Sequence, residues 1–457
     1  MKQKRAARSR KKGARARRRA ETSGRRAQLV ELIRRVLPEA LLGKWQAALG
    51  LKVRDRLLRV PLVLQLLVMR HLEPGGSLRK AMKFLAPQVG TRLKSLDGSA
   101  LCQAGKRLPV RFFQLAARQV GAAAARGAQW LYRGLRVGIV DGTTSSLQNS
   151  EANRRTFGRA GNQHARSRYP VLRWVLLLGG AAKSVVDAAF APYGVSEVPL
   201  VEMLLERLAA GWLVLGDRLM CSWRNLATSQ GRGSHLLVRQ HVSRKGKRYR
   251  GAKIRERWEV WHRPRVAGAR RAHQLASLPE TLEVRIISVL GVRKGWRAQR
   301  IELCTTLLDG QAYPAEELAE LYLERWKVEL VLRTLKSEYG LDWLRSKSPR
   351  AVARELYSGL LAYNLVCQAM AESGAEPGGL SPERVRSLVF FAIAGMAWTP
   401  GRTHRAIYQK LLVLVAATEL RRQVRPPEPR LLARDPRRGW QMLRVPRGEW
   451  KAEYVVA

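Results

Sequence analysis

The spacing of apolar side chains changes three times along this 457-residue chain, and these changes limit the folds that it can adopt. Residues 28–130 repeat apolar side chains at a helical period, whereas residues 238–308 show the period of two that is typical of strands. Residues 131–237 combine short apolar runs with a helix, and a helical period returns after residue 308. The pattern predicts an α/β core that is interrupted by a β-rich insertion and flanked by helical N- and C-terminal regions.

The chain is strongly basic. It contains 85 Lys and Arg residues against 35 Asp and Glu, a formal net charge of +50. Such an excess predicts a polyanionic partner, and nucleic acid is the first candidate. A membrane surface would also attract this charge, but no apolar run approaches the roughly 20 residues that cross a bilayer. Since no apolar stretch follows the basic N-terminus either, we expect a cytoplasmic protein with no membrane partner.

The basic residues are densest at the N-terminus. The first 26 residues hold 13 Lys or Arg and a single acid, Glu21. A segment of this composition cannot bury enough apolar surface to fold alone, so we expect a disordered arm. The arm would either contact phosphates without sequence preference or serve only as a solubilising extension.

Three carboxylates lie on three separate predicted elements. Asp141 follows the apolar run VGIV, Asp217 follows WLVLG, and Glu329 lies on a predicted helix beside basic residues. Each has an ordinary interpretation, because Asp at the end of a strand commonly bonds turn amides and a helical Glu commonly forms an ion pair. Only the combination of the three predicts chemistry.

The segment LYLERWKVELVLRTLKSEYG, residues 321–340, carries the glutamate. On one continuous helix, the side chains of Tyr322, Arg325, Glu329 and Lys336 would lie within about 60° of one another. A neighbouring stripe of apolar side chains can be buried, at Leu321, Val328, Leu332 and Leu335. The polar face is either functional or a solvated surface with ion pairs.

Three clustered acids suit the chemistry of phosphodiester bonds. Cleavage or transfer of a phosphodiester uses two cations about 3.5 to 4 Å apart, one at the attacking oxygen and one at the leaving oxygen. Mg²⁺ prefers carboxylate ligands, with water and substrate phosphate completing its octahedron. Since such acids repel one another without a cation, the cluster predicts a metal site rather than a DNA-binding surface.

The spacing of Tyr322, Arg325, Glu329 and Lys336, with two, three and six residues between them, resembles the signature of bacterial insertion-sequence transposases of the DDE type. The stretches VDGTT, EANRRTFG, RYPVLRWVLLL and LVLGDRLMCSW resemble the family's segments around its first and second aspartates. The resemblance extends from about residue 130 to 370.

The order and separation of the acids fit this family. The separation in sequence is 217 − 141 = 76 between Asp141 and Asp217, and 329 − 217 = 112 between Asp217 and Glu329. The second interval leaves room for the family's β-stranded insertion. One departure is local: Leu219 and Met220 stand where the family more often has a glycine or an aromatic residue.

The resemblance implies a ribonuclease H-like catalytic core. Asp141, Asp217 and Glu329 would then be the catalytic residues and would bind two divalent ions per active site, Mg²⁺ or alternatively Mn²⁺. The resemblance also implies that Tyr322, Arg325 and Lys336 bind the terminal phosphates of the element's DNA end. Arginine can grip a phosphate with two donors, whereas lysine acts as a point charge.

Related transposases can stack an extruded base on an aromatic side chain. The insertion contains Trp258, Trp261 and Trp296, of which we choose Trp296 as the candidate for base stacking. The alternative is that these tryptophans fill the small core of the insertion.

The resemblance gives each segment of the chain a role. In order, we expect the basic arm, a helical DNA-binding domain, the first part of the catalytic core, the β-rich insertion, the second part of the core and a helical C-terminal region, at residues 1–27, 28–130, 131–237, 238–308, 309–372 and 373–457.

The leading hypothesis is a DNA transposase that cuts double-stranded DNA at terminal inverted repeats and joins the 3′ ends to target DNA. Synapsis of two DNA ends implies a homodimer in the working complex. A nuclease of the same fold and a non-catalytic or domesticated DNA-binding protein are the alternatives. The sequence leaves open the terminal repeats, the target preference and whether excision proceeds through a hairpin.

Overall fold

The computed structural model describes most of the chain between Leu29 and Leu420. The expected basic arm and Trp296 lie outside the described residues, which are 29–51, 58–85, 98–161, 166–240, 254–264, 275–291 and 299–420, with the backbone of 431–435 and 439–442.

The N-terminal region is helical, as the apolar period predicts. Its described helices are α1 (Glu31–Val36), α2 (Glu39–Ala48), α3 (Val60–Leu72), α4 (Leu78–Phe84), α5 (Gly98–Lys106) and α6 (Val110–Gly127). Ser77 begins α4 by accepting a hydrogen bond from the Lys80 N–H, which satisfies one of the helix's free amides. Buried side chains of this region join the same apolar core as the sheet that follows, while its role as a separate domain stays a prediction.

One large mixed sheet forms the centre of the described structure. Its strands are β1 (Leu131–Tyr132), β2 (Leu135–Leu147), β3 (Arg159–Gly161), β4 (Arg166–Gly179), β5 (Ser184–Pro192), β6 (Trp212–Gly216), β7 (His235–Arg239), β8 (Ile254–His262), β9 (Thr281–Gly291), β10 (Gln299–Thr305) and β11 (Trp343–Leu344). The order is β3-β4-β2-β6-β7-β10-β9-β8, with β5 beside β4 and with β1 and β11 beside β2. Strands β2, β6 and β7 are parallel, and β4 and β5 run antiparallel to their neighbours.

The strands of the predicted insertion extend this same sheet. Strand β10 pairs with β7, and β9 and β8 follow it in antiparallel order. In β9, Leu282, Val284 and Ile286 pack into one core, as the predicted alternation requires, while Arg285 and Ile287 on the other face are buried as well. In β8, by contrast, Trp258 and Val260 face solvent, and Trp261, which points to the opposite side of the strand, is buried.

The two faces of the sheet are covered by different helices. The period of two along β2 sends Val137 and Ile139 into one core and Val140 into the other. The first core includes side chains of α6 and of the later helix α12 (Pro349–Glu372), and the second includes α8 (Glu197–Leu205) and α9 (Trp223–Gly231). A short helix α7 (Glu151–Phe157) connects β2 to β3.

The helix expected over the Tyr-Arg-Glu-Lys signature is interrupted. Helix α10 (Ala315–Leu323) ends in a 3₁₀ turn at Glu324–Trp326, and α11 (Lys327–Ser337) follows. The prediction of one continuous helical face is therefore wrong. Tyr322, near the end of α10, and Arg325, within the 3₁₀ turn, are buried, whereas Glu329 on α11 is exposed. The buried stripe at Val328, Leu332 and Leu335 is confirmed.

The last helices differ from expectation in two respects. Helix α12, predicted to be amphipathic, is buried on all sides from Glu355 to Met370 because it lies in the centre of the first core. It is followed by α13 (Pro382–Trp398) and α14 (His404–Ala416), and then by the paired strands β12 (Leu431–Asp435) and β13 (Gly439–Met442). The C-terminal region is therefore not purely helical. Of the helices that the structure describes, none is both long and apolar enough to cross a bilayer.

Candidate active site

The backbone register of the sheet aligns the first two predicted acids. Strands β2 and β6 pair in parallel with Ile139 opposite Leu215. Asp141 and Asp217 each lie two positions after these paired residues. The difference in residue number is therefore the same for both pairs (215 − 139 = 217 − 141). The register therefore directs the two aspartates to the same end of the paired strands, and the charge of Asp217 acts on Asp141. Neighbouring strands lie about 4.8 Å apart, and residues two positions apart share a face.

The sequence suggested that strand β2 ends at Asp141, but the strand does not end there. It continues to Leu147, held by antiparallel pairing with β4. Strand β6, however, ends at Gly216. Asp141 therefore lies in mid-strand at the point where its parallel neighbour leaves the sheet, and this opens the edge beside it.

The Asp141 carboxylate is half-buried. Its Oδ1 accepts a hydrogen bond of 2.8 Å from the Gly142 N–H. Burial raises the pKa of Asp141 to about 6; the Gly142 hydrogen bond and the charge of Arg325 act in the opposite direction, and the negative charges of Glu197 and Asp217 add to the increase. Because burial disfavours the charged form of this carboxyl, a nearby cation would stabilise that form.

The Asp217 side chain does not bond an amide of the turn that follows it, as an Asp at the end of a strand commonly does. Asp217 immediately precedes a 3₁₀ turn at Arg218–Met220, but its side chain caps no backbone amide. Its carbonyl oxygen accepts the Met220 N–H at 3.0 Å. The departure from the family pattern also has a structural reason, because Met220 fills the second core while Leu219 is exposed.

Glu329 lies on α11 and is exposed. With Lys336, Thr143 and Asp342 it lines a shallow surface pocket. Thr143 is two residues after Asp141 on β2, so the pocket adjoins the strand that carries the first aspartate. Lys336 Nζ is 3.9 Å from an Asp342 carboxylate oxygen, which makes it a solvated cation at the rim.

Tyr322 and Arg325 are buried below this surface. The Tyr322 hydroxyl donates to the carbonyl of Gly216 at 3.2 Å, one residue before Asp217. Burial raises the pKa of Tyr322 to about 12, so the hydroxyl keeps its proton. Arg325 is 6% exposed; its guanidinium carbon lies 4.4 Å from the centre of the Trp326 ring and 5.8 Å from that of Tyr322. Within the described residues its Nε has no hydrogen-bond partner.

Sequence reasoning missed Glu197, the first residue of α8. Its carboxylate lies directly against Gly142: a Cβ at that glycine would be 2.4 Å from the Glu197 Cδ. Burial raises the pKa of Glu197; the charge of Arg173 opposes this and that of Asp217 adds to it. In the sequence, Glu197 has the form of an ordinary first-turn acid, and the only local signal is the glycine after Asp141.

The donor set suits a hard divalent cation, since every candidate ligand is a carboxylate. Asp141 and Asp217 are aligned, and this part of the site fits such an ion. In the described ranges, however, no group of three or more Asp, Glu, His or Cys side chains is close enough to hold a metal. Neither Glu329 nor Glu197 therefore completes a cluster with the two aspartates in this conformation.

The described tryptophans of the insertion have structural partners. Trp258 is exposed, and its Nε1–H donates to the Leu308 carbonyl at 2.9 Å. Trp261 is buried in the second core, and its carbonyl accepts the Trp223 Nε1–H at 3.2 Å.

Comparison with known families identifies this arrangement. The model of the transposase DDE domain matches residues 132–365, just over half of the chain and the whole interval that carries the three acids. The chain belongs to the DDE-domain transposase family. The family match covers β2 through most of α12 and so includes the interrupted signature segment.

Proteins similar to this chain include insertion-sequence proteins of Escherichia coli. The transposase InsG of insertion sequence element IS4 from strain K12 is 28% identical over 261 residues, which cover 55% of this chain and 56% of InsG. The putative transposase InsL of element IS186A is 39% identical over 64 residues, 14% of this chain and 17% of InsL. The match thus spans little more than half of InsG.

A solved structure also resembles the chain. The piggyBac transposase, in a synaptic complex with hairpin DNA, aligns with a TM-score of 0.42 and 10% identity over 83% of this chain and 84% of its own.

Proposed function

We propose that this chain is a metal-dependent DNA transposase that cleaves at the ends of an insertion sequence and joins the 3′ ends to target DNA. The observation that carries the proposal is that Asp141 and Asp217 have the same offset in sequence as the paired residues of β2 and β6. Because backbone pairing sets this alignment, it supports a site in which the two carboxylates stand together before any ligand binds. A ribonuclease H-like core is part of the proposal, and the acids on adjacent parallel strands support it.

The three acids would share the work of the active site. Asp141, Asp217 and Glu329 would hold two Mg²⁺ or Mn²⁺ ions, which supply activation of the attacking oxygen and stabilisation of the leaving 3′ oxygen when bound. We propose that Glu329 joins the aspartates when DNA occupies the pocket that it shares with Thr143. Catalytic contacts that are loose in a free enzyme commonly tighten only in the substrate complex.

The basic side chains of the signature would act on the DNA in different ways. Arg325, whose Nε has no partner among the described residues, and Lys336, at the rim of the pocket, are suited to phosphate contacts. The hydroxyl of Tyr322 is engaged by Gly216, which supports a positioning role for the residue that precedes Asp217. A phosphate contact of Tyr322, which the family resemblance implies, would require this hydrogen bond to break.

The proposed partner is double-stranded DNA, both terminal inverted repeats and target. The formal net charge of +50 supports this, since phosphate neutralisation supplies most non-specific DNA affinity. Joining two ends of one element further implies a homodimer in the synaptic complex, acting in the cytoplasm where the DNA lies.

The test begins with the DNA on both sides of the gene. Inverted repeats bordered by a short direct duplication would supply the substrate for a Mg²⁺-dependent cleavage and joining assay. We expect Glu329→Gln to lower cleavage by about 10³-fold or more while DNA affinity stays within about twofold. Glu320→Gln removes an equal charge from an exposed position of α10 and should leave both unchanged.

The outcomes separate the candidate functions. Cleavage by Glu329→Gln at the rate of the unsubstituted protein would overturn the assignment of the triad. Cleavage without joining would identify a nuclease, and DNA binding without cleavage by the unsubstituted chain would identify a non-catalytic DNA-binding protein.

A further inference from the structure

Gly142 creates a space in the middle of β2. A Cβ added there would lie 2.4 Å from Cδ of Glu197 and 2.6 and 2.8 Å from its two carboxylate oxygens. Real Cβ atoms do not approach other heavy atoms so closely, so any larger residue would have to displace the carboxylate. The glycine next to Asp141 thus admits Glu197 rather than making a turn, because β2 continues through it to Leu147.

Among the described residues, the charge of Arg173 offsets only part of the cost of burying the Glu197 carboxylate. Among the described residues it makes no salt bridge, and no donor forms a hydrogen bond with its side chain. The nearby cation Arg173 instead donates from Nη1 to the Val195 carbonyl at 2.6 Å. An unpaired carboxylate next to two further acids is costly unless a cation joins them.

A second observation points to a ligand at the same edge. Arg325 is only 6% exposed, its charge acts on Asp141, and its Nε lacks a hydrogen-bond partner within the part of the chain that the structure describes. A buried guanidinium with an unpaired N–H next to an acid edge is expected where an anion and its cations bind together, as in a phosphate with divalent metal.

We propose that Glu197 is a fourth carboxylate of the divalent-cation site, and that Gly142 is the position that admits it. The inference rests on the proposed metal-dependent function and deepens it. When a cation draws the carboxylates together in the absence of DNA, Glu197 is the third acid that joins Asp141 and Asp217, because Glu329 is exposed on α11. A purely structural role, as a first-turn acid facing the positive end of α8, would affect stability and not metal binding.

The full-length protein tests this with Mn²⁺ alone as the probe. Electron paramagnetic resonance measures the concentration of free Mn²⁺, which gives the affinity of the protein for Mn²⁺ without a cleavage assay. We expect Glu197→Gln, which keeps the shape of the side chain, to weaken Mn²⁺ binding by about tenfold or more. Glu206→Gln is the matched control, since Glu206 directly follows α8 and faces Arg224 instead of the aspartates.

Gly142→Ala tests the geometry independently. Its methyl group should displace the Glu197 carboxylate and weaken Mn²⁺ binding to a similar degree. In the Glu197→Ala background no carboxylate opposes the methyl group, so the loss of thermal stability caused by Gly142→Ala in chelator should be smaller there. Equal losses in both backgrounds would overturn the proposed close approach.

Asp217→Asn distinguishes failure of this inference from failure of the proposed function. If Asp217→Asn loses Mn²⁺ binding and Glu197→Gln binds as the unsubstituted protein does, the fourth-carboxylate role is overturned and the proposed function stands. If Asp217→Asn also binds normally, the metal assignment fails, and this inference fails with it. Lower stability of Glu197→Gln in chelator with unchanged Mn²⁺ affinity would establish the structural role instead.

Discussion

The acids on the strands and the acid on the helix are positioned by different kinds of structure. Asp141 and Asp217 lie on β2 and directly after β6, where the hydrogen bonds of a parallel ladder set their alignment. Glu329 lies on α11, beyond a 3₁₀ turn, and is not part of the ladder that pairs β2 with β6. The comparison teaches that the position of the two aspartates depends on the sheet, whereas that of the glutamate depends on how a helix is docked.

The docking of that helix has an identifiable anchor. The Ser145 hydroxyl donates to the Leu341 carbonyl at 2.6 Å and accepts the Trp174 Nε1–H at 2.8 Å, and both contacts are buried. Leu341 follows α11, so this hydroxyl ties the end of the helical segment to the strand that carries Asp141.

The largest expected effect concerns metal binding in the absence of DNA. Because Asp141 and Asp217 are aligned by the sheet, Asp217→Asn should weaken Mn²⁺ binding by the free protein by about 100-fold. Glu329→Gln should change it by less than about threefold, since Glu329 is exposed on α11. Equal losses for the two variants, in a Mn²⁺ titration, would remove the distinction between strand and helix acids.

The next effect concerns the anchor. Ser145→Ala leaves a buried carbonyl and a buried indole N–H without a partner, so the free energy of unfolding should fall by about 1 to 3 kcal/mol in denaturant titration. Ser146→Ala, on the other face of β2, serves as the control. A fall for Ser145→Ala no larger than that of an ordinary surface substitution, about 0.5 kcal/mol, would show that the Ser145 hydroxyl does not help to hold α11 in place.

The smallest effect distinguishes positioning from DNA contact. Tyr322→Phe removes the hydrogen bond to Gly216 and should slow cleavage about tenfold with DNA affinity unchanged. Lys336→Ala should weaken DNA binding at every sequence and lower the slope of affinity against salt by about one. If Tyr322→Phe instead reproduced the salt dependence of Lys336→Ala, Tyr322 would be a phosphate contact.

Much of the fold follows from local sequence patterns. The helical region before residue 130, the strands ahead of Asp217 and the buried stripe at Val328 and Leu335 were all predicted from the apolar period. Predictions failed where tertiary packing overrode the period. The 3₁₀ turn at Glu324–Trp326 broke the expected face, and α12 was buried on all sides.

The candidate site shows the same division. The types of the acids, their order and the separation of Asp141 from Asp217 are properties of the sequence, as is the charge that predicts a polyanionic partner. Only the folded chain brings Glu197 against Gly142, which lies three strands earlier in the chain, and leaves Glu329 exposed. Local patterns report the backbone conformation and burial of a few neighbouring residues. Contacts between distant segments depend instead on register and packing, which no short stretch of sequence encodes.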